Sequence, residues 1–488
     1  AWADLKKESV YLAVGDSKAV VGVENNTYAG VNKGPADLRD KHVLALDAAR
    51  AAGATVRVPA KLAGQDADVA YDLAKADGQW MVKVEGRPDA KADAARVDDL
   101  LKELAGLKVI YFAEGANAEV AKDFKAQGSV RVQVEKEPAA AGFEVGGPAG
   151  DVPALVKNIR EDWIGRVNTN DLVNLRKDWL GLLDTQALTL DPKQATRLAV
   201  RTADRTAVFE KTGDTWALTA PVKEDARAGF AADRLDDLAN LKCTKYLAAT
   251  KDFAKWNLEK GEIEVTVTLA PAKEGEKPVE KTLRLAHHEK STIVGRTDGA
   301  DLVFEVPLTL FKDLAGEPLP ADLTNVPTAD VTGLDVVAGD AAVHLVKTDG
   351  KWFRTDAAGR PADEADTAKA DDVAKTAAAL SAVRWAAYDA KDPAALGLDK
   401  PALRLTLTTA KGKTTVLVSE KPVAADVAAL FDEQPLRYAM TEGGPRIAIL
   451  AGEPVRKLLA AAKDLSPATS EAKPAPAAEA KPEAPKDK

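Results

Sequence analysis

Three tryptophans stand at even spacing: Trp216 lies 136 residues after Trp80, and Trp352 lies 136 after Trp216. Each closes a similar phrase, KADGQW, KTGDTW or KTDGKW. A two-residue polar corner precedes each indole: Asp77-Gly78, Gly213-Asp214 and Asp349-Gly350. Such pairs favour tight hairpin turns. On both sides apolar and polar residues alternate, as in VAYDLAK then WMVKV, TAVFEK then WALTA, and AAVHLVK then WFRT. Period-two patterning marks half-buried strands. The repeat therefore predicts one β-hairpin built three times, with the Trp on its second strand.

The segment after each hairpin also recurs. A Pro-containing linker leads to an amphipathic helix, with apolar stripes at Val97, Leu100, Leu104 and Leu107, at Leu235, Leu238 and Leu241, and at Ala370, Val373, Ala377 and Leu380. Asp93 and Asp366 stand where N-caps belong, since a short carboxylate can accept from the free N–H groups of a first turn. Strand patterns then return in SVRVQVE (129–135), EIEVTVTL (262–269) and ALRLTLTT (402–409).

A second echo extends the repeat toward the start. YAGVNKGPADLRDKHVLALD at 28–47 resembles GRVNTNDLVNLRKDWLGLLD at 165–184, which closes the first full unit. The expected fold class is α+β: tandem repeats of a module in which antiparallel β-hairpins pack on an amphipathic helix, about three and a half copies. Expected boundaries are 1–53 for the C-terminal part of a truncated repeat, 54–194, 195–328 and 329–465 for three repeats, and 466–488 for a tail. A period near 136 residues exceeds the 20–50 of solenoids, and each unit is long enough to own a core. The tail mixes Pro, Ala, Lys and Glu without apolar periodicity, a composition expected to stay disordered.

Composition narrows the function classes. The net charge is −9 over 488 residues, with no basic cluster, so nucleic acid is not an expected partner. The single cysteine, Cys243, excludes an internal disulfide and a multi-cysteine metal site. It sits in the helical pattern of Leu238 and Leu241 and reads as a buried structural thiol. The most apolar run, TAAALSAVRWAAY at 376–388, contains Arg384 and is too short to cross a bilayer. No signal peptide is visible; the chain begins with Ala1 rather than Met, so an upstream segment is expected.

These features resemble the DUF4340 family, a domain of unknown function. The clearest unit is the last: TDGKWF, RPADEAD, AKADDVAKTAAAL and ALGLDKPALRLTL, with Gly397, Leu398 and Pro401 forming a Gly-Leu-x-x-Pro phrase. The second unit has NLEKGEIEV, with Gly261 where the Pro would stand; the first, with FKAQGSVRV, departs further. LRDK at 38–41 also looks like the end of such a unit. The resemblance reaches to about residue 465. It implies a bacterial, extracytoplasmic protein tethered by an N-terminal membrane anchor that this chain lacks. It also implies an association with ABC-type transport components.

Residues able to do chemistry do not converge. His287-His288 is the one histidine pair, and neighbours on a strand face opposite ways. His42 and His344 are isolated, and no metal-ligand spacing occurs. All four are expected at surface or turn positions. Asp98-Asp99, Asp236-Asp237 and Asp371-Asp372 sit about 100° apart on their helices, so they read as solvated faces near a helix N-terminal half. Trp80, Trp216 and Trp352 are expected as core anchors; Trp163, Trp179, Trp256 and Trp385 follow no pattern. GDSKAVVG (15–22) and GFEVGGPAG (142–150) read as turns. No catalytic, cofactor-binding or metal residue is nominated, and no cofactor is expected. The expected function is a non-enzymatic, extracytoplasmic scaffold or accessory subunit of an envelope complex, with an ABC-type permease as partner. The alternative is a module binding cell-envelope glycan or a small ligand. The third is an enzyme with acids converging between units.

Overall fold

The structure is a computed structural model. It describes residues 2–466 except 5–8, 14, 17–18, 35–37, 61–67, 123, 148–154, 169, 173–177, 272, 274, 290–291 and 432–434. The tail expected at 466–488 lies outside the described residues from 467 onward, as do Leu175 and Arg176 of the second echo. The chain forms two compact units: Ala1–Ala187 with Lys242–Lys251 and Asp301–Glu305, and Leu188–Leu241 with Asp252–Ala300 and Val306–Lys488.

The first unit opens with an antiparallel meander of β1 (Trp2–Asp4), β2 (Ser9–Ala13) and β3 (Val20–Glu24), succeeded by a helix at Asn25–Val31. A nine-stranded sheet comes next. Its strands are β4 (Ala51–Val58), β5 (Val69–Ala76), β6 (Gln79–Lys83), β7 (Ala90–Lys91), β8 (Val109–Phe112), β9 (Ala126–Val134), β10 (Ala141–Gly146), β11 (Leu155–Asn158) and β12 (Ile164–Val167). Their order is β7-β6-β5-β4-β9-β10-β11-β12-β8. The helix Ala94–Gly106 falls between β7 and β8, so the strand after it lies at the far edge and the chain returns to the middle of the sheet. Val97, Leu100, Leu101 and Leu104 of that helix share one apolar cluster with Val56, Tyr71, Leu73, Val130 and Phe143 of the strands.

The second copy repeats this path with β13 (Ala195–Arg201), β14 (Thr206–Thr212), β15 (Thr215–Ala220), the helix Phe230–Ala239, β16 (Lys245–Ala249), β17 (Ile263–Leu269), β18 (Val279–His288), β19 (Thr292–Thr297), β20 (Leu302–Val306) and the helix Leu308–Ala315. In the second unit the strands run β15-β14-β13-β17-β18-β19. β16 pairs with β20, and most of that pair belongs to the first unit, where Tyr246 and Leu302 pack on the first copy's apolar cluster. The compact units therefore divide the chain elsewhere than at residues 194 and 195.

The third copy holds β21 (Val331–Ala338), β22 (Ala341–Thr348), β23 (Lys351–Thr355), β24 (Pro361–Glu364), the helix Thr367–Ala378, β25 (Arg384–Ala387), β26 (Leu403–Thr409), β27 (Gly412–Pro422), β28 (Arg437–Thr441), β29 (Ile447–Leu450) and the helix Gly452–Asp464. Its order, β24-β23-β22-β21-β26-β27-β28-β29-β25, matches the first sheet strand for strand. The protein is thus β-rich, built of antiparallel sheets.

Local sequence explains the local geometry. Thr348 pairs with Lys351 across Asp349-Gly350, and Ala76 with Gln79 across Asp77-Gly78. All four corner residues have positive φ, as a two-residue hairpin of the I′ type needs. Asp93 accepts from the amides of Ala95 and Arg96 at 2.9 and 3.2 Å, and Asp366 from Lys369 at 3.1 Å, so both caps form. Gly397, at φ 74°, ends a short helix; the matching position in the second copy is Asn257, at φ 57°. Asn tolerates the left-handed region better than other side chains, and the buried Leu398 and Leu258 come next in each case. GFEVGGPAG is not simply a turn: its first five residues lie in β10, and 148–150 fall outside the described residues. A Cβ at Gly146 would stand 2.2 Å from the carbonyl oxygen of Lys125, so close backbone approach requires glycine there. GDSKAVVG spans the β2–β3 corner and runs into β3, with residues 17–18 outside the description.

Each copy also meets its predecessor in one recurring way. An isolated antiparallel bridge joins the segment after the helix to the end of the copy before: His42 with Lys108, Gln186 with Lys242, Asp322 with Ser381. Hydrogen bonds flank each bridge: Val109 N–H to Lys41 O at 2.8 Å, Cys243 N–H to Thr185 O at 2.8 Å, and Ala382 N–H to Ala321 O at 2.7 Å.

Candidate functional site

At the last of these junctions, inside the second unit, charged side chains are buried, whereas the pairs at the others, Arg39 with Glu114 and Lys245 with Glu305, stay partly exposed. β13 ends at Arg201 and β14 starts at Thr206, so Thr202–Arg205 form a corner, closed by Thr202 N–H donating to Arg205 O at 2.8 Å. The helix Leu308–Ala315 stops at Gly316, which delivers Glu317. β25 starts at Arg384 and leads to Trp385 and Tyr388. These segments meet in one buried cluster.

The Arg384 side chain is fully buried, 0% exposed. Its guanidinium donates to Thr202 Oγ1 at 2.5 Å and Ala315 O at 3.3 Å, and pairs with Asp204 Oδ1 at 2.8 Å. Its Nε finds no acceptor among the described residues. Arg205 donates to Glu317 Oε2 at 2.6 Å, to Gly316 O at 3.0 Å and to the Tyr388 hydroxyl. Glu317 also accepts from the backbone N–H of Trp385 at 3.0 Å, from Leu319 N–H at 3.1 Å and from the Tyr388 hydroxyl at 3.1 Å. The Trp385 indole donates to Pro320 O at 3.0 Å.

Two guanidiniums thus face two carboxylates. Burial, and then the neighbouring Arg205, pull Arg384 down to about 10, so it stays charged at neutral pH. Burial pushes the Tyr388 phenol well above its usual range, so it serves as a neutral hydroxyl. Glu317 accepts from a guanidinium, a phenol and two backbone amides, which occupies the lone pairs a general base would need. The arrangement joins segments; it does not present a reactive group.

Of the aromatic residues, Trp80 and Trp352 are buried, but Trp216 is half-buried, against expectation. Its strand β15 is the outermost of its sheet, whereas β7 and β24 flank the matching strands. Phe209 and Phe230, stacked at 5.5 Å, fill the core there. Trp163 and Trp385 are buried, while Trp179 and Trp256 are half-buried. His287 and His288 are half-buried at the end of β18, not at a surface turn. His287 hydrogen-bonds Glu262 at 2.7 Å, and His288 lies tilted against Trp256 with ring centroids 4.5 Å apart. His42 is partly exposed beside Asp40, and His344 is exposed beside Asp335.

Cys243 is buried but lies past the helix, which ends at Ala239, in the connector to β16. Burial raises its pKa. The acid pairs differ among themselves. Asp371 is not merely solvated: its Oδ1 accepts from the Trp352 indole and from Lys347 Nζ, both at 2.7 Å. Asp99 and Asp237 pair only loosely, with Lys102 at 3.8 Å and Arg234 at 3.7 Å, and Asp372 pairs with Lys457 at 2.5 Å.

Sequence reasoning missed Arg205, Glu317 and Tyr388. The one visible signal was Arg384, an arginine inside the most apolar run of the chain. Among the described residues no helix is long and apolar enough to cross a membrane, and no group of three or more His, Cys, Asp or Glu could hold a metal ion.

No curated protein matches the chain. A model of a domain of unknown function, DUF4340, matches in three overlapping stretches, residues 3–127, 83–259 and 216–401. Those matches cover most of the chain, repeat along it and span the three recurring hairpins and the helices that succeed them; the chain belongs to the DUF4340 family.

Proposed function

We propose that this protein is a non-enzymatic scaffold, an accessory subunit of a bacterial envelope complex. It would be a row of about three and a half α+β modules, each an antiparallel sheet with an amphipathic helix packed against it, bounded near residues 53, 194, 328 and 465. It would work outside the cytoplasm, held to the membrane by an anchor upstream of this chain, with an ABC-type permease as partner. One observation carries this reading: the same bridge ties each copy to the one before it, at His42, Gln186 and Asp322. A chain that builds its buried polar chemistry at such a junction invests in holding modules in register, which is the task of a scaffold.

Cross-linking the full-length protein in its native membranes, then purification and mass spectrometry, tests it. Recovery of a permease or its ATPase is the expected result. Recovery of the protein alone in a soluble fraction would remove the accessory-subunit reading.

A second reading, a module for cell-envelope glycan, draws on one patch of the second unit. Trp256 and His288 lie tilted against each other there, half-buried, and Arg296 lies 4.3 Å over the ring of Phe253. Aromatic faces of that kind can stack on sugars. Titration with envelope oligosaccharides should then change tryptophan fluorescence in the native protein and less so in Trp256→Phe; an unchanged signal in the native protein counts against it.

A further inference from the structure

We infer that the buried ion cluster is a coupling device, making the second and third copies open and close as one. Its charges alternate in origin along the chain. Arg384 of the third copy is held by Asp204 of the second, and Glu317 of the linker holds Arg205 of the second copy while closing the free N–H of Trp385 on the edge strand β25. Neither copy can leave without unpairing groups on the other.

The cost structure favours coupling over simple cohesion. Burying two guanidiniums and the Glu317 carboxylate, with Asp204 only partly covered beside them, sacrifices hydration that an apolar junction would never need to give up. What the cluster gains is direction, because each fork and carboxylate is satisfied in one relative placement. The equivalent place at the preceding junction is chemically plainer. Lys245 stands where Arg384 does, with its ammonium largely exposed, and Ala249 where Tyr388 does. The repeat does not by itself build the device, since the preceding junction lacks it. It stands on this geometry alone, apart from any role in an envelope.

Hydrogen exchange on the full chain, read by mass spectrometry through a denaturant series, reports the coupling. Peptides from β17 and β26 sample the central strands of the second and third sheets. In the native protein both should exchange through one shared opening. Glu317→Gln keeps the shape and removes the charge; the two peptides should then diverge in exchange rate by about a hundred-fold, the size expected when one partner of a buried pair is lost. Tyr388→Phe, a milder change that removes one hydroxyl, should separate them in the same sense by about ten-fold, and it decides the matter if Glu317→Gln fails to fold. Arg404→Gln, which breaks the exposed pair with Glu442, should leave them together. Peptides that already exchange independently in the native protein would overturn the inference. So would peptides that stay together in both cluster variants.

Discussion

Trp352→Ala is expected to cost roughly 3–5 kcal/mol of stability in the third copy, the usual range for deleting a fully buried Trp. The indole is 0% exposed, and it is tied as well as packed. Its Nε1–H meets Asp371 Oδ1 on the helix Thr367–Ala378, its backbone N–H meets Thr367 Oγ1 at 3.3 Å, and its carbonyl accepts from Ala365 at 2.8 Å. Lys347 Nζ, bonded to the same carboxylate, lies 5.4 Å from the ring centroid. One residue thus links hairpin, linker and helix. Trp216→Ala should cost distinctly less, because that ring is half-buried on an outermost strand. Equilibrium denaturation together with exchange protection in β22 and β26 checks both; equal losses at the two positions would refute the distinction.

Acid should expose the same link. Hydrogen bonds from Lys347 first and Trp352 second hold Asp371 below its ordinary 3.8. A carboxylate with a lowered folded pKa contributes stability that is complete above the unfolded value and is lost as pH falls through the folded one. Trp352→Phe, which keeps a buried ring but no donor, should therefore show a smaller loss below about pH 4 than the native protein.

These two tryptophans show what a sequence can carry. Corner residues, strand alternation and helix caps are local; a residue such as Asp349 or Asp366 states its own geometry within three or four positions. The central strands β9, β17 and β26 were equally plain, because buried antiparallel strands still alternate. Trp216 shares its phrase with Trp80 and Trp352, so nothing near it tells that its sheet lacks the flanking strand. Burial there is decided by β15 being outermost, a fact of topology. The far-edge placement of β8, β16 and β25 was likewise unreadable, since a strand does not announce its partner. The helix stripe pointed onward to Cys243, but the helix stops at Ala239 and a connector continues. Asp371 reads in sequence as half of a solvated pair, because the Trp352 indole that donates to it lies 19 positions away. Glu317 and Arg205 are 112 positions apart, and neither belongs to the repeated phrases. Departures from a repeat are silent in the pattern that defines it, and that is where the junction chemistry sits.

Arg384→Ala is expected to be as damaging as the loss of Trp352, about 3–5 kcal/mol, by another route. Removing the side chain leaves Asp204 without its guanidinium; the Thr202 hydroxyl, 2.9 Å away, still donates to it. Ala315 O loses a donor, and a void opens where the buried side chain stood. The volume and charge components can be separated. Arg384→Met refills most of the space but leaves the carboxylate unpaired, so it should recover only a small part. Adding Asp204→Asn to Arg384→Met removes the stranded charge as well, and stability should return to within about 1–2 kcal/mol of the native protein, since replacing both members of a buried pair is often nearly neutral. Urea denaturation of the four proteins distinguishes the cases. A double variant no better than Arg384→Met would mean that lost packing, not the unpaired charge, sets the cost. A loss below about 1 kcal/mol for Arg384→Ala would place the pair with exposed salt bridges and end the argument that its burial matters.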